Sequence, residues 1–208
     1  MATAIIIDDQ PYIRVILAQI LREEGVTVLA ECSNGREGLA QARALRPDII
    51  VLELALPGLD GMDVINRLRR VDQKTRFVVL TGCPAEFAMD RCMRAGVSAF
   101  MAKNDDPDVF RKGIRAVLAG FICFPDLHDS TLCPNHSDPE ERVRISMLSA
   151  RELAVLRYLA LGFTNIQIGN ALLLSNKTIS SYKTRLVNKL KVRSVICLAD
   201  LARRHGLI

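Results

Sequence analysis

Two kinds of hydrophobic pattern alternate along the first 121 residues. Short apolar runs, typical of buried strands, are separated by stretches in which apolar residues recur every three or four positions, as in helices. The predicted strands are Ala4–Ile7, Thr27–Ala30, Ile49–Leu54, Phe77–Leu80 and Ala99–Met101. The predicted helices are Tyr12–Glu24, Gly35–Leu45, Met62–Val71, Ala85–Ala95 and Pro107–Ala119. Five such βα units predict an α/β fold with a doubly wound parallel sheet.

Residues with complementary chemistry stand at the carboxyl ends of four of these strands. Asp8 and Asp9 end the first strand, Glu53 the third and Thr81 the fourth, and Lys103 follows the fifth. Ligands of such sheets bind outside the carboxyl ends of the strands. Carboxylates suit a Mg²⁺ ion, and a hydroxyl and an ammonium group opposite them suit a phosphoryl group. We therefore expect one pocket here, the alternative being a stabilising surface pair of Glu53 with Lys103.

The last 63 residues show a different pattern. Ser149-x-x-Glu152 and Thr164-x-x-Gln167 are two capping boxes, each followed by a short helical pattern, and Ser175 precedes a longer one over Asn176–Leu190. Two short helices, a tight turn and a polar, basic helix predict a helix-turn-helix whose third helix enters the major groove of DNA. Its outward face carries Lys177, Ser180, Ser181, Lys183, Thr184, Lys189 and Lys191.

Charge supports this division, because the overall net charge of +5 is unevenly distributed. Residues 1–121 hold 16 basic and 16 acidic side chains, residues 122–145 hold 2 and 5, and residues 146–208 hold 10 and 2. A small basic block behind a neutral block suggests a nucleic-acid-binding module attached to another domain. We accordingly predict domains at 1–121 and 146–208, joined by a linker over 122–145.

Several classes of protein and site find no support in the sequence. No apolar run reaches the roughly 18 residues of a membrane span, and the chain enters its first strand without a basic leader, so we expect a cytoplasmic protein without a membrane partner. No glycine-rich phosphate loop follows the first strand, and no nucleophile–base pair lies outside the acidic pocket, so no enzyme is expected.

The linker holds a possible metal-binding pattern. Cys123, His128, Cys133 and His136 fall within 14 residues, and zinc sites use such ligands. Their spacing is not a common zinc-finger spacing, and cysteines and histidines in a proline-containing linker are ordinary constituents. Both interpretations stay open from the sequence.

The pattern at the strand ends resembles the receiver domain of two-component response regulators. The resemblance implies a flavodoxin-like, five-stranded sheet of order 2-1-3-4-5 and a Mg²⁺ ion held by Asp8, Asp9 and the residue at position 53. Thr81 would be the hydroxyl that follows the phosphoryl group, and Lys103 its ion-pair partner. Phe100 falls at the aromatic switch position of these domains, although a plain core role is equally compatible with its type.

Glu53 departs from the receiver pattern, because receivers carry the phosphate-accepting aspartate at this position. A stem longer by one methylene moves the nucleophilic oxygen out of line, and a misplacement of about 1 Å can lower a rate on the order of 100-fold. We therefore expect little or no phosphorylation at Glu53. The longer carboxylate would instead partly imitate a phosphoaspartate by reaching Thr81 and Lys103, with less charge and fewer oxygens than a phosphoryl group.

The tail resembles the LuxR-type helix-turn-helix over Leu148–Glu152, Gly162–Asn165 and Leu174–Leu186. Together with the receiver, this resemblance identifies the chain as a member of the NarL/FixJ family of response regulators, most similar to the BvgA/EvgA branch. It implies that the third helix contacts double-stranded DNA. Bases would be faced by Ser180, Ser181 and Thr184. Phosphates would be met mostly by Lys177, Thr178, Lys183 and Arg185, of which Lys177 and Lys183 could also reach base edges.

The family resemblance also implies partners. The final predicted helix, Val195–Arg203, has an apolar stripe of Val195, Leu198, Ala199 and Ala202 that would form the dimer contact on DNA or pack within its own domain. We expect a transcriptional response regulator that acts as a homodimer and has a sensor histidine kinase as a candidate partner. The alternative is a protein-interaction module, whose receiver docks a kinase or a second regulator and whose DNA contacts are secondary.

Overall fold

The computed structural model describes residues 1–83, 85–125 and 139–208. The chain forms two compact units, Met1–Pro125 and Asp126–Ile208. The strands of the first unit are β1 (Thr3–Ile7), β2 (Thr27–Cys32), β3 (Ile49–Leu52), β4 (Arg76–Thr81) and β5 (Ala99–Ala102). Its helices are α1 (Pro11–Glu23), α2 (Gly35–Leu45), α3 (Gly61–Arg69), α4 (Ala85–Arg94) and α5 (Pro107–Leu118).

The five strands form one parallel sheet of order β2-β1-β3-β4-β5. This confirms the predicted fold class and strand order. Pairing of Ile7 with Leu52 sets the ends of β1 and β3 side by side, and pairing of Thr81 with Ala102 does the same for β4 and β5. The sheet register therefore gathers the residues that follow these strands at one edge.

The sheet is buried on both faces, as its unbroken apolar strands predict. Every residue of β3 is buried, and alternate residues point to opposite faces. On one face Val51, Val78 and Met101 share a core cluster with Leu17 of α1 and Ile114 of α5. These contacts hold in place the strands at whose carboxyl ends the polar residues lie.

The chain beyond α5 returns to the sheet. The backbone N–H of Phe100 donates to the carbonyl of Cys123 at 2.9 Å, and the N–H of Cys123 donates to the carbonyl of Ser98 at 2.9 Å. These bonds form a parallel bridge between Cys123 and Ala99 on β5. The first compact unit consequently extends to Pro125, past the domain end predicted at residue 121, and that predicted boundary stays a prediction.

The second unit is helical. Its helices are α6 (Pro139–Ser146), α7 (Ala150–Ala160), α8 (Asn165–Leu172), α9 (Asn176–Leu190) and α10 (Val195–Arg204). Both predicted capping boxes are present, at Ser149 with Glu152 and at Thr164 with Gln167, and Ser175 caps α9. These details confirm the predicted helix-turn-helix of α8 and α9.

Two features of the second unit were not predicted. Helix α6 lies within the stretch predicted as a linker, where Pro139 at the start and two glutamates in the first turn favour a helix N-terminus. The turn between α8 and α9 uses Leu173 in the left-handed conformation, with φ 53°.

Within the described ranges, none of the helices combines the length and the apolar character that crossing a membrane requires.

Candidate functional site

The predicted pocket residues meet at the carboxyl edge of the sheet. Asp8 directly follows β1, Glu53 follows β3, Thr81 ends β4 and Lys103 follows β5. Asp8 is 1% exposed and Glu53 is 5% exposed, and Thr81 is fully buried. Buried carboxylates require partners, so their contacts decide what the pocket can do.

Backbone N–H groups hold the carboxylate of Glu53. Its Oε1 accepts hydrogen bonds from the N–H groups of Leu54 at 2.6 Å and Ala55 at 3.0 Å, and its Oε2 accepts one from Gly82 at 3.2 Å. Gly61 allows this tight loop, because a Cβ at that position would overlap the carbonyl oxygen of Glu53. The carboxylate is thus fixed from its own loop and from the end of β4.

Two predicted side-chain partners complete the coordination of Glu53. The hydroxyl of Thr81 donates to Oε1, and the ammonium group of Lys103 lies 3.0 Å from Oε2. Thr81 Oγ1 also accepts a hydrogen bond from the N–H of Cys83 at 3.1 Å. Glu53 therefore makes both contacts expected of a carboxylate that reaches toward the position of a phosphoryl group.

Lys103 bridges two acids. Its Nζ lies 2.7 Å from Oδ2 of Asp8 as well as 3.0 Å from Glu53, with 11% of its side chain exposed. Burial alone would lower the pKa of Lys103, but the two carboxylates together raise it above its ordinary value. Burial raises the pKa of Asp8, and Lys103 offsets this only in part. The pocket is a buried triad of one cation between two carboxyl groups.

The carboxylates of this triad already have hydrogen-bond and ion-pair partners. Both oxygens of Glu53 accept from N–H, hydroxyl or ammonium donors, and Asp8 accepts from the N–H of Gln10 through Oδ1 and contacts Lys103 through Oδ2. Asp9 is half-buried beside them. Across residues 1–83, 85–125 and 139–208, no group of three His, Cys, Asp or Glu side chains is placed to hold a metal ion. In this arrangement Asp8 and Glu53 share Lys103 as their cation.

The aromatic ring of Phe100 contacts the segment that leads out of the first unit. Phe100 is 1% exposed, and its ring stacks on that of Phe124 with centroids 6.4 Å apart. The carbonyl of Cys123 also accepts a hydrogen bond from the backbone N–H of Phe100. The sequence indicated Phe100 as a switch or core residue, but nothing in it pointed to Phe124.

Of the four residues considered as zinc ligands, Cys123 lies among the described residues, and His128, Cys133 and His136 lie outside them.

Helix α9 presents most of the predicted DNA-binding residues to solvent. Its inner face is formed by Ile179, Leu186 and Leu190. The predicted residues that are exposed are Lys177, Ser180, Ser181, Thr184 and Arg185, and those that are half-buried are Thr178 and Lys183. A solvent-facing helix that carries hydroxyls and cations can contact both base edges and phosphates.

The hydroxyls of this face are held by the helix itself. Ser180, Ser181 and Thr184 each donate to the carbonyl four residues earlier, at 3.1, 3.1 and 3.3 Å. Ser180 also accepts a hydrogen bond from the side-chain amide of Asn165 in α8 at 3.2 Å. Each hydroxyl oxygen keeps lone pairs with which it can accept a hydrogen bond, and a contact to α8 orients that of Ser180.

Lys189 differs from the other cations that the sequence placed on the outward face. Its Nζ lies 2.8 Å from Oε2 of Glu152 in α7. The sequence indicated Glu152 only as a capping-box residue, because a partner 37 positions away leaves no periodic signal.

In the final helix, α10, the residues of the predicted apolar stripe differ in burial. Leu198 and Ala202 are buried, whereas Val195 is exposed.

Comparisons with known proteins agree with this geometry. A family model described as the response regulator receiver domain matches residues 4–115, and one described as bacterial regulatory proteins of the luxR family matches residues 146–202. The transcription regulator BvgA of Bordetella pertussis is 39% identical over 98% of this chain and 97% of its own length. The DNA-binding transcriptional activator EvgA of Escherichia coli is 29% identical over 98% of both chains.

A solved structure shows the same similarity. The RcsB response regulator of Salmonella typhimurium superposes with a TM-score of 0.62 at 26% identity, covering 98% of both chains. The receiver pocket and the helix-turn-helix define a receiver-containing class of transcription regulator. The chain belongs to the response regulator family, as a DNA-binding transcriptional regulator of the two-component type with a luxR-family helix-turn-helix. Members of this class regulate transcription and are not enzymes.

Proposed function

We propose that this response regulator controls transcription without phosphorylation at residue 53. The observation that carries the proposal is the coordination of the Glu53 carboxylate by three backbone N–H groups, the hydroxyl of Thr81 and the ammonium group of Lys103. Attack on a phosphodonor requires a carboxylate oxygen in line with it, and the donors to both oxygens of Glu53 fix their direction and lower their nucleophilicity. The extra methylene adds a misalignment relative to aspartate.

Glu53 also imitates part of a phosphorylated aspartate in this proposal. A phosphoryl group at this site would be contacted by Thr81 and Lys103. The Glu53 carboxylate accepts a hydrogen bond from Thr81 and forms an ion pair with Lys103. The imitation is partial, because a phosphoryl group carries about −1.5 to −2 charges and three acceptor oxygens. The output of the receiver would then be constitutive or governed by a signal other than phosphate.

Lys103 supplies the positive charge of the pocket in this account. Receiver domains typically bind Mg²⁺ in an acidic pocket, and the site predicted from Asp8, Asp9 and Glu53 stays a prediction. Mg²⁺ bound by all three would compete with Lys103 for the oxygens of Asp8 and Glu53. Calorimetric titration with MgCl₂ checks this: we expect no saturable binding at millimolar concentration. Saturable binding that Glu53→Gln abolishes would establish the three-carboxylate site instead.

Phe100 would transmit the state of the pocket to the linker. Lys103 and Phe100 belong to the same short segment around β5, and the ring of Phe100 packs on Phe124 just before the chain leaves the first unit. A change at Lys103 would therefore reach Cys123 and Phe124 through this strand. Phe124→Ala is expected to increase hydrogen exchange at the amides of Phe100 and Cys123, whereas the matched Phe121→Ala, at an exposed ring, leaves both unchanged.

The DNA-binding face of α9 would read a paired site as a homodimer. Ser180, Ser181 and Thr184 would face bases, and Lys177, Thr178, Lys183 and Arg185 would mostly contact phosphates. The exposed apolar residues Val195 and Ile196 of α10 support a dimer contact. Dimers of this class bind half-sites about one helical turn apart. A sensor histidine kinase remains a proposed partner of the receiver.

Two experiments test the proposal. Selection of binding sites from random duplex DNA with the full chain should recover a repeated half-site. Failure to enrich any sequence would favour the interaction-module alternative. Incubation with a small-molecule phosphodonor, followed by intact mass measurement, should leave the mass unchanged. A phosphoryl adduct that disappears in Glu53→Ala would refute phosphorylation-independent control.

A further inference from the structure

The ion pair between α7 and α9 points to a residue role that extends the proposed DNA-binding function and rests on it. We propose that Lys189 is a positioning residue. Through Glu152 it fixes the direction of α9, and it contributes no phosphate contact of its own. Its place on a basic helix would otherwise suggest a phosphate contact.

The geometry commits Lys189 to Glu152. Lys189 Nζ lies 2.8 Å from Glu152 Oε2, and the same oxygen accepts the backbone N–H of Ser149 at 2.8 Å. Glu152 is 4% exposed, although it belongs to the first turn of a helix. One carboxylate therefore closes the capping box of α7 and holds the C-terminal end of α9.

Electrostatics keep this pair charged. Burial by itself would raise the pKa of Glu152, but the hydrogen bonds from Lys189 and Ser149 together lower it below its ordinary value. The carboxylate is therefore ionised wherever DNA binding is measured. Removing Lys189 would leave a buried negative charge without its cation, and transferring Lys189 to a phosphate would do the same. This opposes a second role for the lysine on DNA.

The same turn of α7 holds the other helix of the motif. Arg151 is buried and donates from Nη2 to the carbonyl oxygen of Leu172 at the end of α8. Adjacent residues of α7 thus contact the C-terminal ends of α8 and α9. These contacts set the angle between the two helices of the helix-turn-helix.

The position of the pair explains why it should affect recognition. Helix α9 has 15 residues, a length of about 22 Å, and Lys189 lies one residue from its end. Of the residues proposed to read bases, Ser180 and Ser181 lie in the opposite half, and Thr184 lies just past the midpoint of the helix. A small tilt at the Lys189 end displaces these side chains relative to base edges. Specific contacts depend on such placement more strongly than phosphate contacts do.

Two substitutions separate positioning from phosphate contact. Glu152→Gln preserves the capping box, because glutamine also serves at that position, and it removes only the charge. Lys189→Gln removes the cation. Lys183→Ala serves as the control, since Lys183 is a proposed phosphate contact. The full chain and each variant are titrated with the duplex recovered by site selection, and with an unrelated duplex, at several salt concentrations.

We expect Lys189→Gln and Glu152→Gln each to weaken specific binding by about twofold to fivefold. The double variant should be no weaker than either single one, and the salt slope should stay unchanged. Lys183→Ala should reduce the slope by about 1 and weaken both duplexes alike. Thermal unfolding of each variant reports any general loss of structure, which would weaken both duplexes rather than lower the specificity ratio.

Three results would overturn the proposal. Lys189→Gln could reduce the salt slope by about 1, which marks a phosphate contact. Glu152→Gln could strengthen binding, because a released Lys189 would then reach the DNA. Both variants could bind like the unmodified chain, which would leave Lys189 without a positioning role. Absence of specific binding by the unmodified chain would instead contradict the proposed function itself.

Discussion

Glu53 keeps the charge of an aspartate and changes its reach by one methylene. From the sequence, its proximity to Thr81 and Lys103 was predictable, because parallel strands end at one edge of a sheet. The backbone donors at Leu54 and Gly82 were not predictable, since loop conformation decides where N–H groups point. The sharing of Lys103 between two acids also required coordinates. Residue type and strand position were therefore sufficient for the members of the pocket and insufficient for its bonding.

Lys103 should be essential for the stability of the first unit. Lys103→Met keeps the length of the side chain and leaves Asp8 and Glu53 as buried carboxylates without a cation. The expected loss is about 3–5 kcal/mol in the free energy of unfolding. Urea denaturation followed by circular dichroism measures it, and Lys74→Met at an exposed position should change stability by less than about 0.5 kcal/mol. A loss below about 1 kcal/mol for Lys103→Met would contradict a buried ion triad.

The same triad predicts a pH dependence. The pKa of Lys103 is raised above its ordinary value of 10.5, so its charged form stabilises the fold fully below pH 10.5. That contribution is lost as the pH rises through the folded-state pKa. Urea denaturation from pH 7 to 11.5 should therefore show a decline that is smaller in Lys103→Met. Parallel curves for the two proteins would mean that Lys103 does not titrate with folding.

Helices and caps were the elements best predicted from the sequence. Ser149-x-x-Glu152 and Thr164-x-x-Gln167 are local signals, and both boxes form. The turn after α8 was harder, because Leu173 has no preference for the left-handed conformation that it adopts. The backbone pairing of Cys123 with β5 could not be predicted either, because a single paired residue at the sheet edge leaves no periodic pattern in the sequence.

Leu173 should be a strained helix end. Its φ of 53° is unfavourable for any residue with a Cβ, and its side chain is exposed, so little burial is lost on removal. Leu173→Gly should raise the free energy of unfolding of the second unit by about 0.5–1 kcal/mol. Leu161→Gly, at the exposed end of α7 with φ −75°, should give no gain. Hydrogen exchange of α8 and α7 amides measures both, and equal effects would remove strain as the cause.

At the scale of the whole molecule, the distribution of charge along the sequence predicted two domains with different functions. A neutral block of 121 residues and a tail with 10 basic and 2 acidic residues indicated a nucleic-acid-binding module attached to another domain. Charge counts do not say which cations face DNA. Lys189 was counted with them, and its contact with Glu152 supports the proposal that it positions α9 instead of contacting DNA.

The comparison of the unsubstituted chain with Glu53→Asp tests the central claim most directly. Affinity for the selected duplex is measured for both proteins with and without phosphoramidate and MgCl₂. Glu53→Asp places an aspartate acceptor beside Asp8, Asp9, Thr81 and Lys103, so its affinity should depend on the phosphodonor. The unsubstituted chain should bind equally well under both conditions. An affinity of the unsubstituted chain that rises with phosphodonor, together with a phosphoryl group on Glu53, would contradict the account.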